Sequence, residues 1–335
     1  MIIEGVASNR VCDFGGWTDT WFARSGAVLN FAVDLYARVT IRTRKRPGIT
    51  IFAQDYEDRI EIDDINSVDY DSKHALLIAA LKTMNIDQGI DVFISADVPA
   101  GCGTGSSAAI SVAMIVALGL LNGQCLVAHE VARLAHSIET EELKIQSGIQ
   151  DQIASAYGRV NYIDMYEYPN AFVSPVNPSQ EVFPQLENRW ALVYEGKRHL
   201  SGDVHKKVIT ELEVEGSTCR QALDRLKETA ALAKRALLMG DIEQFCEVMN
   251  MNNKAQKQLH PEITTDNFEK IEQIGIKHGA LGAMINGAGG GGSIVLVTEP
   301  GRKTEMEHAL QKEGFKLLPC RICFEPAKAW VAAQS

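Results

Sequence analysis

Apolar residues in the first third of the chain recur at alternate positions or in short continuous runs rich in Val, Ile, Tyr and Phe, the pattern of strands that line a core. The run at 27–42 (AVLNFAVDLYARVTIR) predicts a long strand, and 49–52 and 60–62 predict short partners in an antiparallel sheet. A helix is expected over 73–84, then a strand over 90–96 that runs into a glycine-rich stretch at 99–105. The segment 106–121 (SSAAISVAMIVALGLL) has no polar face, which predicts a helix enclosed by protein; it is too short and too rich in Ala and Ser to cross a bilayer. Helices at about 126–142 and 148–156 and a strand at 159–164 complete the first half. The proline-bearing stretch 166–188 has little periodicity and is the expected connector. A strand at 190–194, helices over much of 203–278, then strand (282–285), glycine loop, strand (293–297), helix and strand follow. This order predicts an α+β protein in two lobes, 1–165 and 189–335, joined by 166–188.

With 335 residues, 46% of them hydrophobic, the chain can bury a core large enough for two lobes. The formal charge of -10 disfavours a nucleic-acid partner, because a phosphate backbone rewards clustered Lys and Arg. The basic run 42–46 reads as the solvated end of a strand. No uninterrupted apolar stretch reaches the length of a membrane span, and the opening MIIEGVASNR lacks a basic region followed by an apolar core. A cytoplasmic protein with no membrane partner is therefore expected. Seven cysteines, scattered and odd in number, do not make a secreted disulfide framework. Cys320 and Cys323 form a lone CxxC without a second pair, so packing of a late strand (KLLPCRICF) is expected there in place of zinc.

Four segments carry candidate chemistry. In PAGCGTGSSAA (99–109) a strand end feeds a loop with Gly101, Gly103 and Gly105 and then the enclosed helix, so amide N–H groups and the positive end of the helix dipole can converge on a triphosphate. Ser106 and Ser107 could bond phosphate oxygens or ligate Mg²⁺. The loop is neither a Walker A sequence nor a GxGxxG dinucleotide fingerprint. The second segment, GAGGGG (287–292), lies between two apolar strands and holds more glycine than a hairpin turn needs, which implies that backbone or ligand comes very near. The third, GIQDQ (148–152), places Asp151 at the start of a helix, after a preceding helix that bears Glu139, Glu141 and Glu142. Kinase chemistry needs a carboxylate to orient or deprotonate a hydroxyl and acidic ligands for a metal; each of these groups alone would pass as an ordinary first-turn Asp or a solvated face. The fourth, NRVCDFGGWTD (9–19), sets Trp17 and Asp19 beside a Gly15-Gly16 turn, where a carboxylate could take hydroxyl protons and a ring could cover an apolar sugar face.

In this order the four segments resemble the GHMP kinase superfamily over nearly the whole chain. PAGCGTGSSAA is similar to its central phosphate loop PxGxGLGSSAA, with Thr104 in place of the usual Leu, and GAMINGAGGGG from Gly282 resembles its third motif. RVCDFGGWTDT, GAVLNFAVDLYARVTI and GIQDQIASAYGRVNYIDM look more like the L-fucokinase and heptose 7-phosphate kinase branch; the His and Glu of galactokinases are Trp17 and Gly16 here. Two prolines usual in that branch after the first motif are Trp21 and Phe22. The resemblance implies a GHMP-kinase-like fold, with an N-terminal lobe like the second domain of ribosomal protein S5 and a ferredoxin-like C-terminal lobe. It implies ATP over Gly101, Gly103, Thr104, Gly105, Ser106 and Ser107, with Mg²⁺ on Ser107 and Glu139, Glu141 being the alternative. It also implies Asp151 as catalytic carboxylate paired with Arg10, Asp19 as acceptor of sugar hydroxyls, and a substrate side completed by Gly16, Trp17, Gly287, Gly289 and Gly290. The implied substrate is a monosaccharide or sugar phosphate, heptose 7-phosphate or a fucose-like hexose. Another small-molecule kinase or a mevalonate-diphosphate-type decarboxylase of the same fold, or a non-catalytic sensor, are the alternatives. A homodimer is compatible with this reading. Arg38, Lys144, Lys197, Arg198 and His199 could serve a substrate phosphate but read as surface residues.

Overall fold

The long apolar run forms β2 (Gly26–Thr43), which pairs antiparallel with β1 (Ile2–Phe14) along most of its length. A computed structural model describes residues 1–53, 58–70, 74–197, 201–214 and 216–333. The other side of β2 is shared: β5 (Ile90–Ala96) pairs with its second half and β6 (Val160–Glu167) with its first. β3 (Ile49–Ala53) lies parallel to β5 and carries β4 (Asp58–Ile62) at its edge. Helix α2 (Ser106–Leu121), apolar all round, packs on β1 and β2 with ten of its residues buried. Full burial of side chains such as Val112, Met114, Ile115 and Leu118 contributes roughly 1.5–3 kcal/mol each, which anchors the start of this helix against the sheet. Helix α1 (Ala75–Thr83), α3 (Ala128–Ser137) and α4 (Gln150–Tyr157) complete this half; the first residue of the expected 73–84 helix, Lys73, lies outside the described residues.

The expected connector differs from its reading. It carries α5 (Val182–Glu187) and a strand, β7 (Asn170–Pro175), that pairs with β6 and so extends the large sheet. None of the β7 residues is buried, and it therefore lacks the strong apolar signal that reveals a strand.

Four strands form the second sheet, in the order β11 (Lys316–Leu317), β8 (Trp190–Tyr194), β10 (Ser293–Thr298), β9 (Ala280–Ile285). Around it run α6 (Ser201–Glu213), α7 (Cys219–Met239), α8 (Ile242–Lys257), α9 (Asp266–Lys277) and α10 (Lys303–Lys312). One core cluster joins the two sheets: the tilted rings of Phe14 and Phe245 lie 4.9 Å apart, and Phe31 lies edge-on 5.9 Å from Trp190. The late strand expected from KLLPCRICF is only two residues long, because Pro319 interrupts it. Beyond it, β12 (Lys328–Ala333) crosses back to pair with β1, so the end of the chain completes the first sheet and not the second. All seven cysteines are free, and no described helix is long and apolar enough to cross a membrane.

Candidate active site

A cavity of about 330 Å³ opens where the two glycine loops meet. β5 delivers the chain to the first loop, and Ser106, Ser107 and Ala108 at the start of α2 line the cavity with Gly101, Gly103 and Gly105. Unpaired N–H groups at a helix start, backed by the dipole, suit an anion. Thr104 does not line it. Its side chain is fully buried and its hydroxyl donates to Asn9 Oδ1 (3.3 Å), so what Thr104 can offer a phosphate is backbone alone.

The second loop rests directly on the first. A Cβ on Gly103 would stand 2.8 Å from the Asn286 carbonyl oxygen, and one on Gly287 2.9 Å from that of Gly103. Both glycines also have positive φ, so close backbone contact accounts for them without a ligand. Gly287 and Gly289 reach the cavity; Gly290 does not, and donates its N–H to the Ile263 carbonyl.

Arg10, only 3% exposed on β1, organises the charge. Its Nε donates to Asp151 Oδ1 (2.8 Å) and its Nη2 to Asp151 Oδ2 (3.2 Å), while Nη1 donates to the Gly103 carbonyl and stands 3.6 Å from Asp13 Oδ1. Burial opposes the charge on Arg10, but Asp13, Asp151 and more distant Asp19 more than offset it and hold its pKa above the ordinary value. Asp151, in the first turn of α4, is 28% exposed toward the cavity. Asp13 is buried; desolvation raises its pKa, against the pull of Arg10 and of the Gly287 N–H, which donates to both its oxygens.

Asp19 and Glu139 lie on the remaining walls. Asp19 accepts from the Gln150 N–H (2.9 Å), and a Cβ on Gly148 would sit 2.0 Å from Asp19 Oδ2, so only glycine permits this approach. Burial, against the Gln150 bond and assisted by Asp151, raises the Asp19 carboxyl from 3.8 to about 6. The expected helix at 126–142 ends in a π turn over Ile138–Glu142, and this looser turn buries Glu139 while Glu141 and Glu142 stay exposed. Glu139 accepts from Gln152 Nε2 (2.9 Å) and is hydrogen-bonded to Ser147 and Ser107; burial above all lifts its carboxyl to about 7.

A raised carboxyl pKa has a definite sign. The folded state keeps a proton that the unfolded state has lost, so stability declines as pH climbs from about 4 to about 6 and the penalty is complete above that. Asp19→Asn is therefore expected to stabilise the ligand-free protein at pH 8 by on the order of 3 kcal/mol, a gain that shrinks toward pH 5. Urea denaturation of both proteins at the two pH values measures it, and equal curves at pH 8 would refute the assignment.

Arg10, Asp151, Asp19, Glu139, Ser106, Ser107 and five of the predicted glycines are thus brought together around one cavity. Gly16 is not among them: it is buried, with Asp13 packed where its Cβ would stand. Trp17 lines the cavity but is 5% exposed and belongs to a buried cluster with Val204 and Leu223, edge-on to His205; a broad platform for a sugar face is not available from it. At the mouth the Trp21 indole N–H donates to Gln146 Oε1. Arg38 pairs with Asp97, Lys144 and Lys197 are exposed and off the cavity, and Arg198 and His199 lie outside the described residues. Sequence reasoning missed Asp13, Ser147, Gln152 and His205; among these, Asp13 and Gln152 stood inside motifs already singled out.

Residues 73–159 match the model of the GHMP kinases N-terminal domain, and residues 226–316 that of the GHMP kinases C-terminal domain. The chain is 26% identical over 311 residues to the D-glycero-alpha-D-manno-heptose 7-phosphate kinase of Campylobacter jejuni, covering 91% of each chain. It is 27% identical over 333 residues to a mevalonate kinase of Methanocaldococcus jannaschii, covering 96% of this chain and 99% of the other. The structure of a D-glycero-D-manno-heptose 1-phosphate kinase from Bacteriodes thetaiotaomicron shares the fold over 99% of this chain and all of its own, with a TM-score of 0.82 at 23% identity. With both domain models matched in order along one α+β chain, whose two glycine loops close on a shared cavity, the protein belongs to the GHMP kinase family.

Proposed function

We propose that this protein is an ATP- and Mg²⁺-dependent sugar kinase, transferring the γ-phosphoryl group to a hydroxyl of a monosaccharide or sugar phosphate of the heptose or fucose-like kind. The observation that carries this reading is Asp151, locked by Arg10 between the N-terminal end of α2 on one side and Asp19 on the other. The N–H groups at the start of α2 and the Ser106 hydroxyl hold the phosphates. Asp19 fixes the acceptor by accepting from its hydroxyls. Asp151 receives the proton of the attacking hydroxyl as that oxygen bonds to the γ-phosphorus and the bond to the bridging β,γ-oxygen breaks, leaving ADP. Arg10 keeps both Asp151 oxygens aligned through the transfer. The metal site fits this residue set: an exposed Ser107 hydroxyl hydrogen-bonded to a buried carboxylate, with the buried Gln152 Oε1 lacking a partner beside it, offers hard oxygen donors. When bound there, Mg²⁺ would neutralise phosphate charge.

The heptose 7-phosphate kinase among the relatives supports a sugar acceptor, and the mevalonate kinase at similar identity supplies the second reading. A panel of heptose 7-phosphate, L-fucose, other free and phosphorylated sugars, and mevalonate, assayed for ADP release with product NMR, separates them. Phosphorylation of a sugar at one hydroxyl is expected. Turnover of mevalonate with no sugar would overturn the proposal.

A further inference from the structure

We infer that Tyr168, acting with His136, positions the loop 143–149 against Asp19 and thereby sets affinity for the acceptor and not for the nucleotide. The inference rests on the kinase reading for its kinetic part only. Tyr168 sits in the turn between β6 and β7, in the stretch expected to be a connector and outside every motif. It is half-buried and does not line the cavity, so it touches no reacting atom.

Three elements meet at this one side chain and its own amide. The Tyr168 N–H donates to the Arg24 carbonyl (2.9 Å), in the connection between β1 and β2 that carries Asp19. Its hydroxyl donates to the Ser147 carbonyl (3.0 Å), the residue before Gly148, whose Cα abuts the Asp19 carboxylate. A phenol has one proton to give; with it on the Ser147 carbonyl, the His136 Nε2 at 2.9 Å is the donor to the same oxygen, and the imidazole is itself hydrogen-bonded to the Ser147 backbone. His136 lies in the last turn of α3, just ahead of the π turn that buries Glu139, and Thr140 Oγ1 in that turn donates back to the His136 carbonyl. Burial lowers the His136 pKa to about 4 and, with Asp19 and Glu139 near, raises that of Tyr168 to about 12. The pair therefore keeps the same neutral hydrogen-bonding pattern across the working range of pH. Ser147 is held at its carbonyl by Tyr168 while its own hydroxyl donates to the Gly148 carbonyl (3.0 Å), so the Tyr168 hydroxyl fixes the backbone that abuts Asp19.

Tyr168→Phe removes a single oxygen. Expected are a rise of about tenfold in KM for whichever panel sugar is turned over, a KM for MgATP within about twofold, and faster amide hydrogen exchange in 143–149 with α2 unchanged. His136→Gln, whose amide can still donate to the Tyr168 oxygen, should stay within about threefold, whereas His136→Ala should reproduce the acceptor defect. Combined with Tyr168→Phe, His136→Ala should add little, since both cut one network. A lowered melting temperature with both KM values unchanged, or an equal rise in both, overturns the positioning role. If the wild type phosphorylates no sugar, the kinase reading fails while exchange in 143–149 still decides whether Tyr168 holds the loop.

Discussion

Asp151→Asn should lower kcat by about a thousandfold while nucleotide affinity stays within about twofold. The substitution keeps an oxygen for Arg10 Nε but replaces the second carboxylate oxygen with an amide that would point its hydrogens toward Arg10 Nη2 or the solvent side of the cavity. What disappears is the capacity to take a proton from the attacking hydroxyl. In the proposed reading the nucleotide, by contrast, would be gripped by the first glycine loop and the start of α2, neither of which depends on the charge of residue 151. Single-turnover transfer and equilibrium binding of a non-hydrolysable nucleotide measure the two quantities separately. Turnover close to wild type would remove Asp151 from the reaction.

Arg10→Met is expected to be the most damaging single change to the folded state. It leaves the carboxylates of Asp13 and Asp151 and the carbonyl of Gly103 without their shared cation, and breaking a buried pair of this kind costs about 3–5 kcal/mol. Lysine would not restore it, because one ammonium cannot reproduce the planar fork that meets Asp151 through two nitrogens and Gly103 through a third. The sign of the pH response follows. Asp13 already titrates above the ordinary range through burial, and loss of Arg10 raises it further, so the folded variant holds protons that the unfolded chain releases. The stability deficit should accordingly be largest at pH 8 and narrow toward pH 5. Denaturant midpoints at several pH values test this; a deficit independent of pH would mean that packing, not charge, is what Arg10 supplies.

Much of this site was legible because it depends on residue types that are costly to place without a reason. Three alternating glycines before paired serines marked the anion loop from residue types alone, whereas Asp151 and Arg10 took their roles from the resemblance of the four segments to a family; all of them line one cavity. The misreadings have local causes. Gly16, Thr104 and Gly290 belong to true motif segments, but they shape the cavity from beneath, a distinction that side-chain burial makes and spacing does not. Asp13 was missed because strand alternation places residues 10 and 13 on opposite faces. The register of β1 shifts between Val11 and Phe14, with Cys12 at φ 56°, and this bulge turns Asp13 to the side of Arg10. Tyr168 lay in a stretch without periodicity, where nothing in sequence foretells that a hydroxyl will join two distant loops.

The return of β12 also has a bearing on how the molecule is made. Ile2 stands opposite Ala333, so the outer flank of β1 is covered only once the distant β12 has docked on it. Until then the backbone amides and carbonyls of that flank are free to pair with another nascent chain.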